Sequence, residues 1–211
     1  MKTLLFLTIL LSIISCKGQE NESKELVKKA NLYFNESKID KKAKVDSCLA
    51  LVNKAIEIDN KNFGAYNSKN TFLTFKKDIK ELLKNNEIML QLSPKQPYWK
   101  IQRGLFLELN GEKVEAEKYY DQAILEYLNL FLQPKLNNDF NLRMEYIAAL
   151  EGKGDLKKAE LELDKMYIDF PDNETLKVYK KEYKFKTKKE IFELWENGGE
   201  KDEIQIAPQP H

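Results

Sequence analysis

The side chains that could perform catalysis are few in this sequence, and none stands in a catalytic pattern. The only histidine is His211, so the chain offers almost no imidazole for acid-base chemistry or for metal ligation. Segment 59–64 is similar to a calcium-binding loop, but Lys61 and Phe63 occupy positions that need oxygen ligands. No nucleophile elbow, P-loop or HExxH motif occurs. The sequence therefore predicts no enzyme activity, no catalytic residue, no metal site and no cofactor.

A cysteine at the end of an apolar stretch is the residue with the clearest chemical use. Residues 1–15 begin with the basic Lys2, continue through an apolar run and end on a small residue beside Cys16. The run is shorter than the roughly 20 apolar residues of a membrane-spanning helix, which favours a secretory signal peptide. Residues 13–16, Ile-Ile-Ser-Cys, resemble the lipobox of bacterial lipoproteins. The alternative is an ordinary signal peptide or short anchor with an unmodified cysteine.

The lipobox resemblance implies a location. The sulfur of Cys16 would carry a diacylglycerol and its amine a third acyl chain, and two or more chains hold a protein stably at a bilayer. Lys17 follows the cysteine, whereas an aspartate there tends to retain lipoproteins of Gram-negative bacteria in the inner membrane. We therefore expect a lipid-anchored protein of the cell envelope, in the outer membrane of a Gram-negative bacterium. Residues 16–24 are expected to form a flexible tether.

Composition restricts the fold class and the partners. The 35 basic side chains are balanced by 34 acidic ones, so no surplus of positive charge exists for binding nucleic acid. With only 8 glycines and 6 prolines, and with charges of alternating sign, the chain is expected to be all-helical. Removing residues 1–15 leaves Cys48 as the one cysteine besides Cys16. No disulfide within the body is then possible, and Cys48 is expected to be a small buried residue.

The body of the chain contains an internal repeat. Similar segments start at residues 29, 63 and 97, each 34 residues after the last, and a fourth starts at 140. The third unit is the most regular, with small residues at Gly104, Ala116 and Ala123 and an aromatic ring at Tyr120. These units resemble the tetratricopeptide repeat, a pair of helices that cross closely where side chains are small. The resemblance implies a right-handed α-solenoid of about four helix hairpins over residues 25–196.

The fourth unit is displaced because the third is longer than the others. A helix beginning near Lys113 carries an apolar, tyrosine-rich stripe until Pro134, which predicts one helix of roughly 20 residues. Core packing is the favoured use of this stripe, and a binding surface is the alternative. Gly111 and Gly154 are placed in the turns between paired helices.

The segment after Pro171 is expected to close the solenoid with one or two capping helices, followed by a disordered tail at 197–211. Lysines concentrate in the capping segment, where they form either a solvated polar face or a patch for lipid headgroups or an acidic partner. They are Lys177, Lys180, Lys181, Lys184, Lys186, Lys188 and Lys189.

The repeat resemblance also implies a ligand-binding groove lined by the first helix of each hairpin. Carried over position by position, the groove residues are Tyr33, Asn67, Thr71, Thr74, Tyr98, Ile101, Leu105, Glu108, Met144 and Glu151. The predicted function is that of a membrane-anchored adaptor or scaffold lipoprotein that binds one or more protein partners in the cell envelope. The alternative is a peptide- or glycan-binding lipoprotein of an uptake system.

Overall fold

The structure, a computed structural model, describes residues 2–36 and 41–197, with side chains from residue 18 onward. Within these ranges the chain forms ten α-helices and no strand, which confirms the all-α prediction. The helices form two compact units, Met1–Ser93 and Pro94–His211. The helices are α1 (Lys2–Asn35), α2 (Lys41–Ile58), α3 (Phe63–Lys76), α4 (Ile79–Leu92), α5 (Tyr98–Leu109), α6 (Lys113–Phe131), α7 (Phe140–Lys153), α8 (Leu156–Asp169), α9 (Glu174–Glu182) and α10 (Lys188–Asn197).

In the first unit, each helix packs against the next along the chain, and α1 also packs against α3. The structure differs from the sequence-based expectation at residues 16–24, which belong to helix α1 rather than to a flexible tether. Ser23 is fully buried, its hydroxyl donates a hydrogen bond to the carbonyl of Ala55 at 2.7 Å, and it accepts one from the amide of Asn62 at 2.8 Å. These bonds join this segment to the end of α2. Among the residues the structure describes, no helix is both long and apolar enough to cross a bilayer.

In the second unit, α5 packs against α6 and α7, α6 against α7, and α7 against α8. The long helix expected from Lys113 is confirmed, because α6 runs for 19 residues. Two helices follow Pro171, as expected for the capping segment, and each buries an apolar side chain, Leu176 on α9 and Trp195 on α10. The predicted disordered tail lies, apart from Asn197, outside the described residues.

The turns between the paired helices share one geometry in three successive hairpins. Lys77, Gly111 and Gly154 occupy the same position of their repeats, and each has a positive φ, of 57°, 88° and 91°. This left-handed conformation ends a helix and lets the N–H of the next residue donate to the carbonyl five residues before it, as in a Schellman motif. The bonds run from Asp78 N to Leu73 O (3.1 Å), Glu112 N to Leu107 O (2.8 Å) and Asp155 N to Leu150 O (2.8 Å). The turn positions predicted for the two glycines are therefore confirmed.

Buried positions also recur along the second helix of each hairpin. One position on this second helix, occupied by alanine in the third and fourth units, is fully buried in all four. Its residues are Cys48, Leu82, Ala116 and Ala159. The prediction that Cys48 is a small buried residue is confirmed, and burial raises the pKa of its thiol.

Candidate functional site

In the first unit, the predicted groove residues Tyr33, Asn67, Thr71 and Thr74 are half-buried. The Thr71 hydroxyl donates to the carbonyl of Asn67 at 3.4 Å, and the Thr74 hydroxyl donates to the carbonyl of Asn70 at 2.9 Å. Both threonines therefore use their donors on their own helix. The Tyr33 ring lies 5.6 Å from the ammonium of the buried Lys44. A ligand-binding role for these four residues stays a prediction.

In the second unit, the predicted groove residues are more enclosed. Met144 belongs to a hydrophobic cluster with Ile147 and Leu150, and the Tyr98 hydroxyl accepts a hydrogen bond from the Gln102 amide at 3.0 Å. The exposed fractions are 1% for Tyr98, 2% for Ile101, 3% for Met144, and 6% for Leu105 and Glu108. Glu151 is half-buried. The charged members of this set are the two carboxylates, Glu108 on α5 and Glu151 on α7.

The Glu151 carboxylate binds the polypeptide that follows α9. Residues 183–187 are not helical, and Tyr183 has an extended backbone conformation. One oxygen of Glu151 accepts the backbone N–H of Lys186 at 2.8 Å, and the other accepts the hydroxyl of Tyr183. Burial, together with the nearby Glu151 charge, raises the pKa of Tyr183, so its phenol stays protonated and donates. Glu151 thus holds this non-helical segment through one backbone donor and one side-chain donor.

The Glu108 carboxylate binds the same stretch of chain further along. The Lys188 ammonium donates to Glu108 at 2.8 Å, in a pair whose side chains are 28% and 4% exposed. The other Glu108 oxygen accepts the hydroxyl of Tyr120 at 3.2 Å. The ammonium also lies 5.5 Å from the centre of the Tyr120 ring, close enough for a cation–π contact. Because Glu108 is almost fully enclosed, these donors replace the water that the carboxylate loses.

Two glycines position the Tyr120 ring that underlies this contact. A Cβ built on Gly104 of α5 would lie 2.7–2.9 Å from three Tyr120 ring carbons, and a Cβ on Gly152 of α7 would lie 2.9 Å from one of them. The fully buried ring therefore fits between two helices only where both lack a side chain. This arrangement explains the glycine at residue 104 that the repeat pattern identified.

The site also includes Gly152, Tyr183, Lys186 and Lys188, which were not predicted from the sequence to belong to it. A partial signal was present, because Glu108 and Glu151 occupy the same position of the third and fourth repeats and a lysine-rich segment follows the fourth repeat. Of the seven lysines in that segment, Lys188 is not on a solvated face, since it pairs with the enclosed Glu108.

The tyrosine-rich stripe of α6 is part of the core, as favoured from the sequence. Ala116, Tyr120, Ala123 and Tyr127 are fully buried, and the Tyr127 hydroxyl donates to the buried Glu145 at 2.7 Å. Leu128, an apolar residue of the same helix, is 44% exposed.

The predicted lipidation site Cys16 has its side chain outside the described residues, and lipidation there stays a prediction. Comparison with models of known protein families gives no match, and comparison with curated proteins gives no match either.

Proposed function

We propose that the chain is a tetratricopeptide-like adaptor lipoprotein, held to a bacterial outer membrane through Cys16, that binds polypeptide partners in the cell envelope. In this proposal the hairpins stack into a right-handed α-solenoid, and the first helix of each hairpin contributes to the binding face. The lipobox-like residues before Cys16 support the anchoring. The recurring turns at Lys77, Gly111 and Gly154 support the repeat architecture.

One observation carries the binding role. Glu108 and Glu151, at equivalent places in successive hairpins, are among the positions that line the groove in tetratricopeptide repeats, and in this chain both accept hydrogen bonds from the segment that follows α9. Backbone N–H groups and cationic side chains are the natural donors to paired carboxylates. A face with this chemistry is suited to binding an extended protein segment.

The adaptor role can be tested by chemical crosslinking of intact envelopes, followed by capture of the tagged chain and mass spectrometry. The proposal expects a membrane protein recovered in stoichiometric amount. Absence of such a partner, together with saturable binding of peptides or glycan fragments to the purified chain, would instead favour the uptake role.

The anchoring can be tested separately with Cys16→Ser. The proposal expects the unmodified chain to carry acyl groups on Cys16 and to sediment with membranes, whereas the variant should carry none. Lipidated, globomycin-sensitive material from the variant would refute the assignment of Cys16.

A further inference from the structure

The C-terminal segment, defined here as residues 183–195, has features of a bound peptide. Its first five residues are not helical, and its polar contacts to α5 and α7 end on the carboxylates of Glu108 and Glu151. Among the described helices, neither α9 nor α10 belongs to the pairs whose backbones pack closely over several residues. The segment is therefore held by these polar contacts together with two rings, the buried Trp195 and the partly buried Phe185, which packs against the core of α7 and α8.

Solvent also enters beside the C-terminal segment. A cleft of about 510 Å³ lies between α6 and α10, lined by Lys113 and Glu117 on one side and by Phe192, Glu193 and Glu196 on the other. Helix α10 therefore does not pack closely against the α5–α6 hairpin, whereas α6 packs closely against α7. An element without close backbone packing and beside a cleft is among the parts of a fold that open before its core does.

The contacts specify what else could occupy the same face. The Lys186 N–H is a backbone donor that every peptide offers, whereas the Tyr183 phenol and the Lys188 ammonium are specific to those side chains. Glu108 is enclosed and needs a positive partner to offset the loss of hydration. An acidic peptide would bring like charges together, so the face selects a basic, aromatic one.

We propose that the C-terminal segment is an internal competitor for this binding face, and that the partner is an extended protein segment with aromatic and basic side chains that displaces it. This inference rests on the proposed polypeptide-binding function. Because the competitor is part of the same chain, it acts at a high effective concentration. The apparent affinity for a partner is then the intrinsic affinity multiplied by the fraction of molecules in which the face is open, so a smaller open fraction gives weaker binding.

The test uses the full chain and a fluorescein-labelled synthetic peptide of residues 181–195, with binding followed by fluorescence anisotropy. Lys188→Met removes the internal ammonium but leaves Glu108 available to the peptide. We expect this variant to bind the peptide about 10-fold or more tightly than the unmodified chain, because its face is open more of the time. Lys189→Met, a change to the next residue, whose side chain is 84% exposed, is the matched control and should leave the affinity unchanged.

One further chain variant and one variant peptide separate an effect on binding from an effect on folding. Tyr183→Phe retains the ring and removes only the donor to Glu151, so it should also bind the peptide more tightly than the unmodified chain. A peptide with phenylalanine and methionine at the places of Tyr183 and Lys188 should bind about 10-fold more weakly than the native peptide, given the value of charge-assisted hydrogen bonds. Equal affinity of the unmodified chain and Lys188→Met, or of the two peptides, would overturn the proposal.

Displacement itself can be observed by nuclear magnetic resonance. The chain has two tryptophans, and the indole N–H signal of Trp195 can be assigned with Trp195→Phe. We expect the native peptide to shift the Trp195 signal of the unmodified chain. Peptide binding that leaves this signal in place would mean that the segment stays bound, and the proposal would fall.

Different results would refute the internal competitor and the adaptor role. If Glu151→Gln still captures the envelope partner undiminished, the adaptor role survives and the internal-competitor proposal does not. If the peptide exchanges as expected but crosslinked envelopes yield no protein partner, the internal competitor survives and the adaptor role does not.

Discussion

Gly104→Ala tests the close approach of α5 and α6 that positions Tyr120. In an unconstrained helix, replacing glycine by alanine stabilises the fold by about 1 kcal/mol. Here the new methyl carbon would lie 2.7 Å, 2.9 Å and 2.9 Å from three carbons of the Tyr120 ring. Ordinary contacts between such carbons are about 3.5–4.0 Å, so the ring or the helix must move by more than half an ångström.

The ring has little room to move. Gly152 on α7 contacts the Tyr120 ring from a second helix, and the Tyr120 hydroxyl donates a hydrogen bond to Glu108. Overpacking of this kind costs about 1–3 kcal/mol, which exceeds the gain in helix propensity in most of that range. We expect Gly104→Ala to lower the free energy of unfolding by up to about 2 kcal/mol, which is the overpacking cost less the gain in helix propensity.

Urea denaturation followed by tryptophan fluorescence measures this change in the relevant part of the chain, because Trp99 and Trp195 both lie in the second unit. The matched control is a double-mutant cycle with Tyr120→Leu, in which the pair should cost less than the sum of the single changes by about 1 kcal/mol or more. A stabilising Gly104→Ala, or an additive cycle, would refute the close packing around Tyr120.

The remaining predictions concern the turn, a buried acid and the first helix. Lys77→Gly should raise the free energy of unfolding by about 1 kcal/mol in urea denaturation, because glycine adopts a φ of 57° without the strain of a side chain; a loss would contradict this. Burial raises the pKa of Glu145, so the folded chain favours its neutral carboxyl group, and the fold loses stability as pH rises from about 4.5 through the raised pKa and this group ionises. Glu145→Gln should therefore gain stability relative to the unmodified chain between pH 4 and pH 7, and a gap that is constant with pH would argue against the shift. Ser23→Ala should cost about 1 kcal/mol through the lost bond to Ala55, as measured by thermal unfolding, whereas a flexible tether would give no change.

Local pattern was sufficient to predict much of this fold. Small side chains at residues such as Ala116 and Ala159, and glycines in the turns, are features that neighbouring helices require, so the sequence predicts them directly. The length of α6 followed from an apolar stripe that continues to Pro134.

The pairing of distant residues could not be predicted in the same way. Lys188 is one of seven lysines in its segment, and nothing local distinguishes the one that pairs with Glu108, 80 residues earlier. Ser23 lies in a stretch whose polar composition is typical of a linker, yet a single hydroxyl joins it to the end of α2. In both cases the determining interaction is a long-range hydrogen bond, which composition and periodicity do not encode.

Partner binding through Glu108 and Glu151 is tested most directly by measuring how much of the envelope partner is captured by three chains: the unmodified protein, Lys188→Met and Glu151→Gln. Quantitative mass spectrometry after crosslinking gives the ratio. We expect the same membrane protein from all three chains, in larger amount with Lys188→Met and in much smaller amount with Glu151→Gln. Equal recovery from the three chains would contradict binding through the carboxylates of α5 and α7.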